Sequence, residues 1–192
     1  MDQSISIMAP AGAPLVIHFY PKLLAEPVRF SNVIPMFVIA NTLVTAEKHL
    51  TAPTNYNLRV VEVRLAAALL SKKLDLRHNI PLITLREVQE YYREKRGLVA
   101  LSTVEIILLL LEEVETFIKK VRYTREEIAS ELGMNVLEME AHFVGSIEIR
   151  SDGFELYKRA KHVFSEARRV YMFKNAAENI DSQNVLQVCE IY

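Results

Sequence analysis

Glycine is scarce in this chain, with only Gly12, Gly97, Gly133, Gly145 and Gly153 among 192 residues. No two lie close enough to build a loop whose backbone amides could cradle phosphates, so that means of holding a nucleotide is missing from the sequence. Cysteine is scarcer still. Cys189 stands alone, which excludes an internal disulfide and makes a reducing, cytoplasmic setting the expectation. Neither sign of charge dominates: a formal net charge of -1 with intermixed signs gives no reason to expect nucleic acid or an anionic membrane as partner. Long apolar runs are also lacking. The most hydrophobic stretch, Leu98 to Leu111, is broken by Glu105 and falls short of the roughly 18 to 20 residues a membrane span needs, so it reads as a buried helix. The N-terminus has no basic region followed by an apolar run, and no signal peptide is expected.

What is present is an ordinary globular composition, 51% apolar and 24% charged, over enough residues to bury a sizeable core. A turn from Ala9 to Pro14, marked by Pro10, Gly12 and Pro14, precedes a short strand over Leu15 to Phe19, and Val28 to Phe30 reads as another. His18 has no Cys, Asp or second His at metal-ligand spacing and reads as structural. Met36 to Leu43 is β-rich and apolar on both faces, which predicts a central strand.

Four long helices follow from apolar periodicity and end signals. The first runs from Asn57 to about Lys73, with Leu58, Val61, Leu65 and Ala68 on one stripe. After a connection over Leu74 to Ile83, Thr84 and Glu87 form a capping box for the second, which Gly97 ends. Ser102 and Glu105 repeat the box before a third over Ile106 to Lys120. Thr124 with Glu127, and Asn135 with Glu138, start two short helices around Gly133. The fourth long helix spans Phe154 to about Ala177, with Leu156, Ala160, Val163, Ala167 and Val170 on its inner stripe. Asp181 to Tyr192 shows only weak helical periodicity.

Three patterns carry a functional reading beside a plainer one. Glu127-Ile-Ala-Ser-Glu-Leu-Gly-Met has the look of a DNA-binding helix-turn-helix, but the second helix offers Glu138 and Glu140 and no Lys or Arg. It would repel phosphates, so a packing hairpin is expected. The basic face of the last helix (Lys158, Arg159, Lys161, His162, Arg168 and Arg169) is interrupted by carboxylates and lacks an aromatic platform, and reads as solvated. Glu112, Glu113 and Glu115 lack His or Asp partners, and no metal site is expected there. Tyr56, at the mouth of the first long helix, could offer a ring face and a hydroxyl to a ligand or simply seal a core edge.

Thr51 to Leu70, Phe37-Val-Ile-Ala-Asn-Thr-Leu43 and Lys158-Arg-Ala-Lys-His-Val-Phe-Ser-Glu166 together closely resemble the galactokinases of the GHMP small-molecule kinases, fungal members most of all. Met1-Asp2-Gln3-Ser4-Ile5-Ser6 is similar to the family's active-site segment, and the resemblance implies that Asp2 accepts or orients the proton of the sugar's anomeric hydroxyl. It further implies that Tyr56 contacts galactose and that Lys48 lies near the nucleotide. Glu47, with Ala46, stands where the family has Ser-Asn, so Glu47 and Lys48 are the nucleotide-side residues and the carboxylate would oppose phosphates. ATP and Mg2+ are implied for the complete fold.

The resemblance also implies an α+β fragment of the GHMP-kinase fold. Residues 1–33 would close the N-terminal α/β domain, and 34–192 would form the helix-rich part of an incomplete C-terminal domain. The serine-rich ATP loop and the C-terminal glycine motif of the family are missing from this sequence, so the chain alone is expected to be inactive. An uncovered sheet edge at Phe37 to Asn41 would favour self-association. N-acetylgalactosamine kinase and a non-catalytic galactose sensor acting in transcriptional regulation share the same motifs and are the alternatives.

Overall fold

The computed structural model describes residues 2–20, 22–30, 36, 38–45, 47–76 and 83–179. Among them are eight α-helices and one two-stranded sheet, a helix-rich α+β content. The chain divides into two compact units, Met1–Thr42 with Ala167–Tyr192, and Leu43–Glu166.

The first unit opens with α1 (Asp2–Met8). The Pro/Gly turn follows, with Gly12 at φ 79°, a region open to glycine because it has no Cβ. The antiparallel pair β1 (Leu15–His18) and β2 (Leu24–Pro27) comes next, with Leu15 opposite Pro27 and His18 opposite Leu24. The second strand therefore precedes the predicted Val28 to Phe30. Pro27 has no amide to give the ladder, and the Val28 amide donates to the Pro14 carbonyl at 2.8 Å, the last in-register bond of the pair. On the same unit Lys174 pairs with Glu26, holding that carboxyl below its ordinary range, and His18 Nε2 lies 3.6 Å from the same oxygen.

Met36 to Leu43 is not a strand. Its described residues, 36 and 38–43, have no regular structure, and Met36, Val38 and Ile39 are 90%, 87% and 96% exposed. β propensity forms a strand only where a neighbouring edge takes the backbone hydrogen bonds, and no described strand pairs here. Phe37, most of the 74–83 connection and the tail from Asp181 lie outside the described residues.

The second unit is helical and is built round α3 (Tyr56–Lys73). All four predicted stripe residues are buried, and so are Ala66, Ala67, Leu69 and Leu70. A helix apolar on every side must be covered on every side, and α3 packs on α4 (Leu85–Lys95), α5 (Thr103–Phe117) and α6 (Arg125–Leu132). The capping boxes of α4, α5, α6 and α7 (Val136–Met139) all form as read, each joining an N-cap side chain to a glutamate three residues on. Gly133 ends α6 at φ 73°, where a Cβ would also stand 2.9 Å from Lys72 Nζ. A π-helical turn, Glu140–Val144, continues α7 and buries Phe143.

Two helix readings change. α5 stops at Phe117, short of Lys120, because Ile118 turns extended at φ -109° and ψ 120°. α8 runs Leu156–Glu178, and only the first half of its predicted stripe is covered: Leu156 and Ala160 are buried, Val163 and Ala167 half-buried, Val170 exposed. Phe164 takes the buried place instead, since one stripe cannot face the same neighbours along 23 residues.

A cluster on the second unit gives a pH-dependent expectation. Glu115 accepts from Lys120 Nζ at 2.8 Å, from Lys161 Nζ at 2.8 Å and from the Tyr157 hydroxyl. The Lys120 hydrogen bond, then those of Lys161 and Tyr157, depress its pKa from 4.5 to about 2. A carboxyl depressed on folding stabilises above its unfolded pKa and loses that contribution as pH falls through the folded value. Glu115→Gln should therefore unfold at lower urea than the native chain at pH 7, with the gap closing between about pH 4.5 and 2. A gap independent of pH would show that the charge has no part in it.

Candidate functional site

The run from Glu47 to Glu62 presents the site. α2 (Lys48–Thr51) is a single turn whose end is closed by the Glu47 carbonyl, which accepts from the Leu50 and Thr51 amides and the Thr51 hydroxyl, each at 3.0 Å. The Thr51 carbonyl then takes the Thr54 and Asn55 amides at 3.2 and 2.9 Å, and the Ala52 carbonyl takes the Asn57 amide at 2.8 Å. Pro53 is buried in this turn and fixes φ, so the chain is aimed into α3 with Tyr56 as its first residue.

Tyr56 is 72% exposed and its hydroxyl has no hydrogen-bond partner among the described residues. A tyrosine sealing a core edge would bury its ring, and this ring is exposed. Glu47 is exposed just ahead of α2. Lys48 heads α2, its side chain outside the described residues, and Asp2 heads α1 with its side chain likewise outside them. Glu47, Lys48 and Tyr56 share one stretch of the second unit, whereas Asp2 belongs to the first.

What sequence reasoning missed is the set of long-range bonds that hold the first part of α3. Glu62, less than two turns further along α3, is completely buried. Its carboxylate accepts from Arg59 at 2.5 Å and from the Glu155 amide at 2.8 Å, with Arg159 Nε at 3.9 Å. The signal was there: a lone acid in an apolar helix with an arginine three residues before it is a buried ion pair as readily as a surface one. Asn57 donates to the Glu148 carbonyl at 2.9 Å, and the Arg150 amide to the Pro53 carbonyl at 3.2 Å. Neither partner could be inferred from positions about 90 residues apart.

The chain is 40% identical to a galactokinase of Dictyostelium discoideum over 185 residues, 96% of this chain and 34% of that protein. It is 36% identical to a galactokinase of Schizosaccharomyces pombe and 33% to one of Saccharomyces cerevisiae, in each case over 88% of the chain and 36% of the relative. The chain is a galactokinase homologue. It spans about a third of the length of these curated relatives, and no family model matches it. The homology covers both units, since 96% of the chain aligns with the first of these galactokinases. No three His, Cys, Asp or Glu side chains converge as a metal site among the described residues, and no helix among them is long and apolar enough to cross a membrane.

Proposed function

We propose that this galactokinase homologue supplies part of the sugar side of an ATP-dependent sugar 1-kinase, whose complete form converts galactose and ATP to galactose 1-phosphate and ADP. The observation that carries the reading is Tyr56, exposed and unpartnered at the head of α3, within a stretch homologous to galactokinases. In this reading residues 1–33 belong to the end of the N-terminal domain of the GHMP-kinase fold and 34–192 to the helix-rich part of its C-terminal domain.

Asp2 takes the proton of the anomeric hydroxyl as that oxygen attacks the γ-phosphorus. The new O–P bond forms, the bond from phosphorus to the β-phosphate oxygen breaks, and ADP leaves. Tyr56 lays its ring against the sugar and hydrogen-bonds a hydroxyl. Glu47 is an exposed carboxylate at the head of α2, where phosphates would need donors, so the nucleotide contact falls to Lys48 alone. Mg2+, when bound with ATP, neutralises phosphate charge, and no described cluster of this chain is assigned to it. With no glycine-rich loop in its sequence, the chain by itself turns over no ATP.

The test is to exchange the matching segment of the Schizosaccharomyces pombe galactokinase for this chain. A galactose-dependent release of ADP by the chimera, with none from the chain alone, is expected. A folded, monodisperse chimera without galactokinase activity would overturn the reading, and preference for N-acetylgalactosamine would move it to that kinase. Asp2-dependent turnover by the chain alone would refute the assignment of the phosphate machinery elsewhere.

A further inference from the structure

The start of α3 lacks a cap of its own. Asn55, its N-cap, sits at φ -106° and ψ -72° and makes no side-chain capping bond. The first amides of a helix have no intrahelical acceptors, and here the Ala52 carbonyl before the helix takes that of Asn57 at 2.8 Å. Yet this is the turn that presents Tyr56, the first residue of the helix.

The turn is tied instead to the segment after the π-helical turn. Gly145 reverses the chain at φ 58°, and residues 147–152 run on without helix or strand. From this segment and its surroundings three hydrogen bonds reach α3 and the turn before it. Asn57 Nδ2 donates to the Glu148 carbonyl at 2.9 Å, the Arg150 amide to the Pro53 carbonyl at 3.2 Å, and the Glu155 amide to Glu62 Oε1 at 2.8 Å. They flank Tyr56 on both sides in sequence, at 53, 57 and 62, and leave Tyr56 itself exposed. Asn57 is the nearest to it, half-buried, and the only one of the three to use a side-chain donor.

We propose that the 148–155 segment is a brace that sets the position of Tyr56, and that Asn57 is its positioning residue. The inference rests on the reading of Tyr56 as a sugar contact. A bound sugar needs the ring and hydroxyl held in place before it arrives, because ordering them on binding subtracts from affinity. A displacement of about 1 Å at such a contact is enough to be felt kinetically. The effect should fall on sugar binding, because the hydrogen bond of Asn57 to Glu148 holds the turn that presents Tyr56.

Hydrogen exchange on the full chain tests the brace without any activity. In Asn57→Ala the amides of Asn57 and Arg150 should exchange at least about tenfold faster, while those of Leu65 to Leu70 keep their protection. Asn57→Asp, which removes the donor but suits a helix start, should show the same loss at Arg150. Unchanged exchange at Arg150 in both variants overturns the brace. In the chimera, Asn57→Ala should raise KM for galactose about tenfold and leave KM for ATP and kcat within about twofold. Tyr56→Ala in the same chimera separates the two ideas. If it leaves KM for galactose unchanged, the sugar reading of Tyr56 fails, and the exchange result alone decides whether the brace orders that turn. If it raises KM and Asn57→Ala does not, the positioning role is wrong.

Discussion

Asp2→Asn in the active chimera is expected to lower kcat by about 10²- to 10⁴-fold, with KM for galactose changed by less than about threefold. A sugar hydroxyl is a poor nucleophile until its proton is taken, and an amide of the same size cannot take it. Ground-state binding, which the proposed reading assigns to Tyr56, should be left in place. The plainer role for Asp2, a carboxylate heading α1 and interacting with the helix dipole, predicts something else: a loss of only about 0.3–1 kcal/mol of stability and no change in kcat. Steady-state kinetics with a urea titration of the same protein tells the two apart, and a kcat within about tenfold of the parent would leave Asp2 only the structural role.

Glu62→Leu is expected to destabilise the chain by about 3 kcal/mol, which for a protein of this size lowers Tm by roughly 6–12 °C. The carboxylate is fully buried and its partners stay behind when it goes. The Glu155 amide loses its acceptor, and the guanidiniums of Arg59 and Arg159, 39% and 26% exposed, lose their counter-charge. Replacing a whole buried pair with apolar groups can be neutral, whereas removing one member rarely is. Glu62→Gln keeps an acceptor for the amide and should cost about half as much, and Glu62→Leu combined with Arg59→Leu should recover part of the loss. Equal urea midpoints for the native chain and Glu62→Leu would show the network to be energetically silent.

Much of the second unit was legible because its signals are local. A Ser, Thr or Asn followed three residues later by Glu satisfies two helix-end amides whatever lies around it, and all four such boxes occur as read. Gly133 is similar, since its left-handed φ of 73° is a property of the residue and its turn. The apolar stripe of α3 was legible too, because a period of 3.6 is a statement about one helix. In the candidate site, the sequence left the burial of Tyr56 open, and the structure has it 72% exposed.

By itself, then, the sequence determined the helices of the second unit, their starts, and the motifs shared with galactokinases. Tertiary structure alone decided that Met36 to Leu43 is no strand, that α8 turns away from its early stripe at Val170, and that Glu62 is buried with the Glu155 amide while Asn57 reaches Glu148. The physical reason is common to all of these. A capping box or a hydrophobic period is completed within a few residues, but a strand needs an edge, a stripe needs a neighbour and a buried carboxylate needs donors, which the fold must bring from elsewhere in the chain, for Glu62 and Asn57 from about 90 residues away.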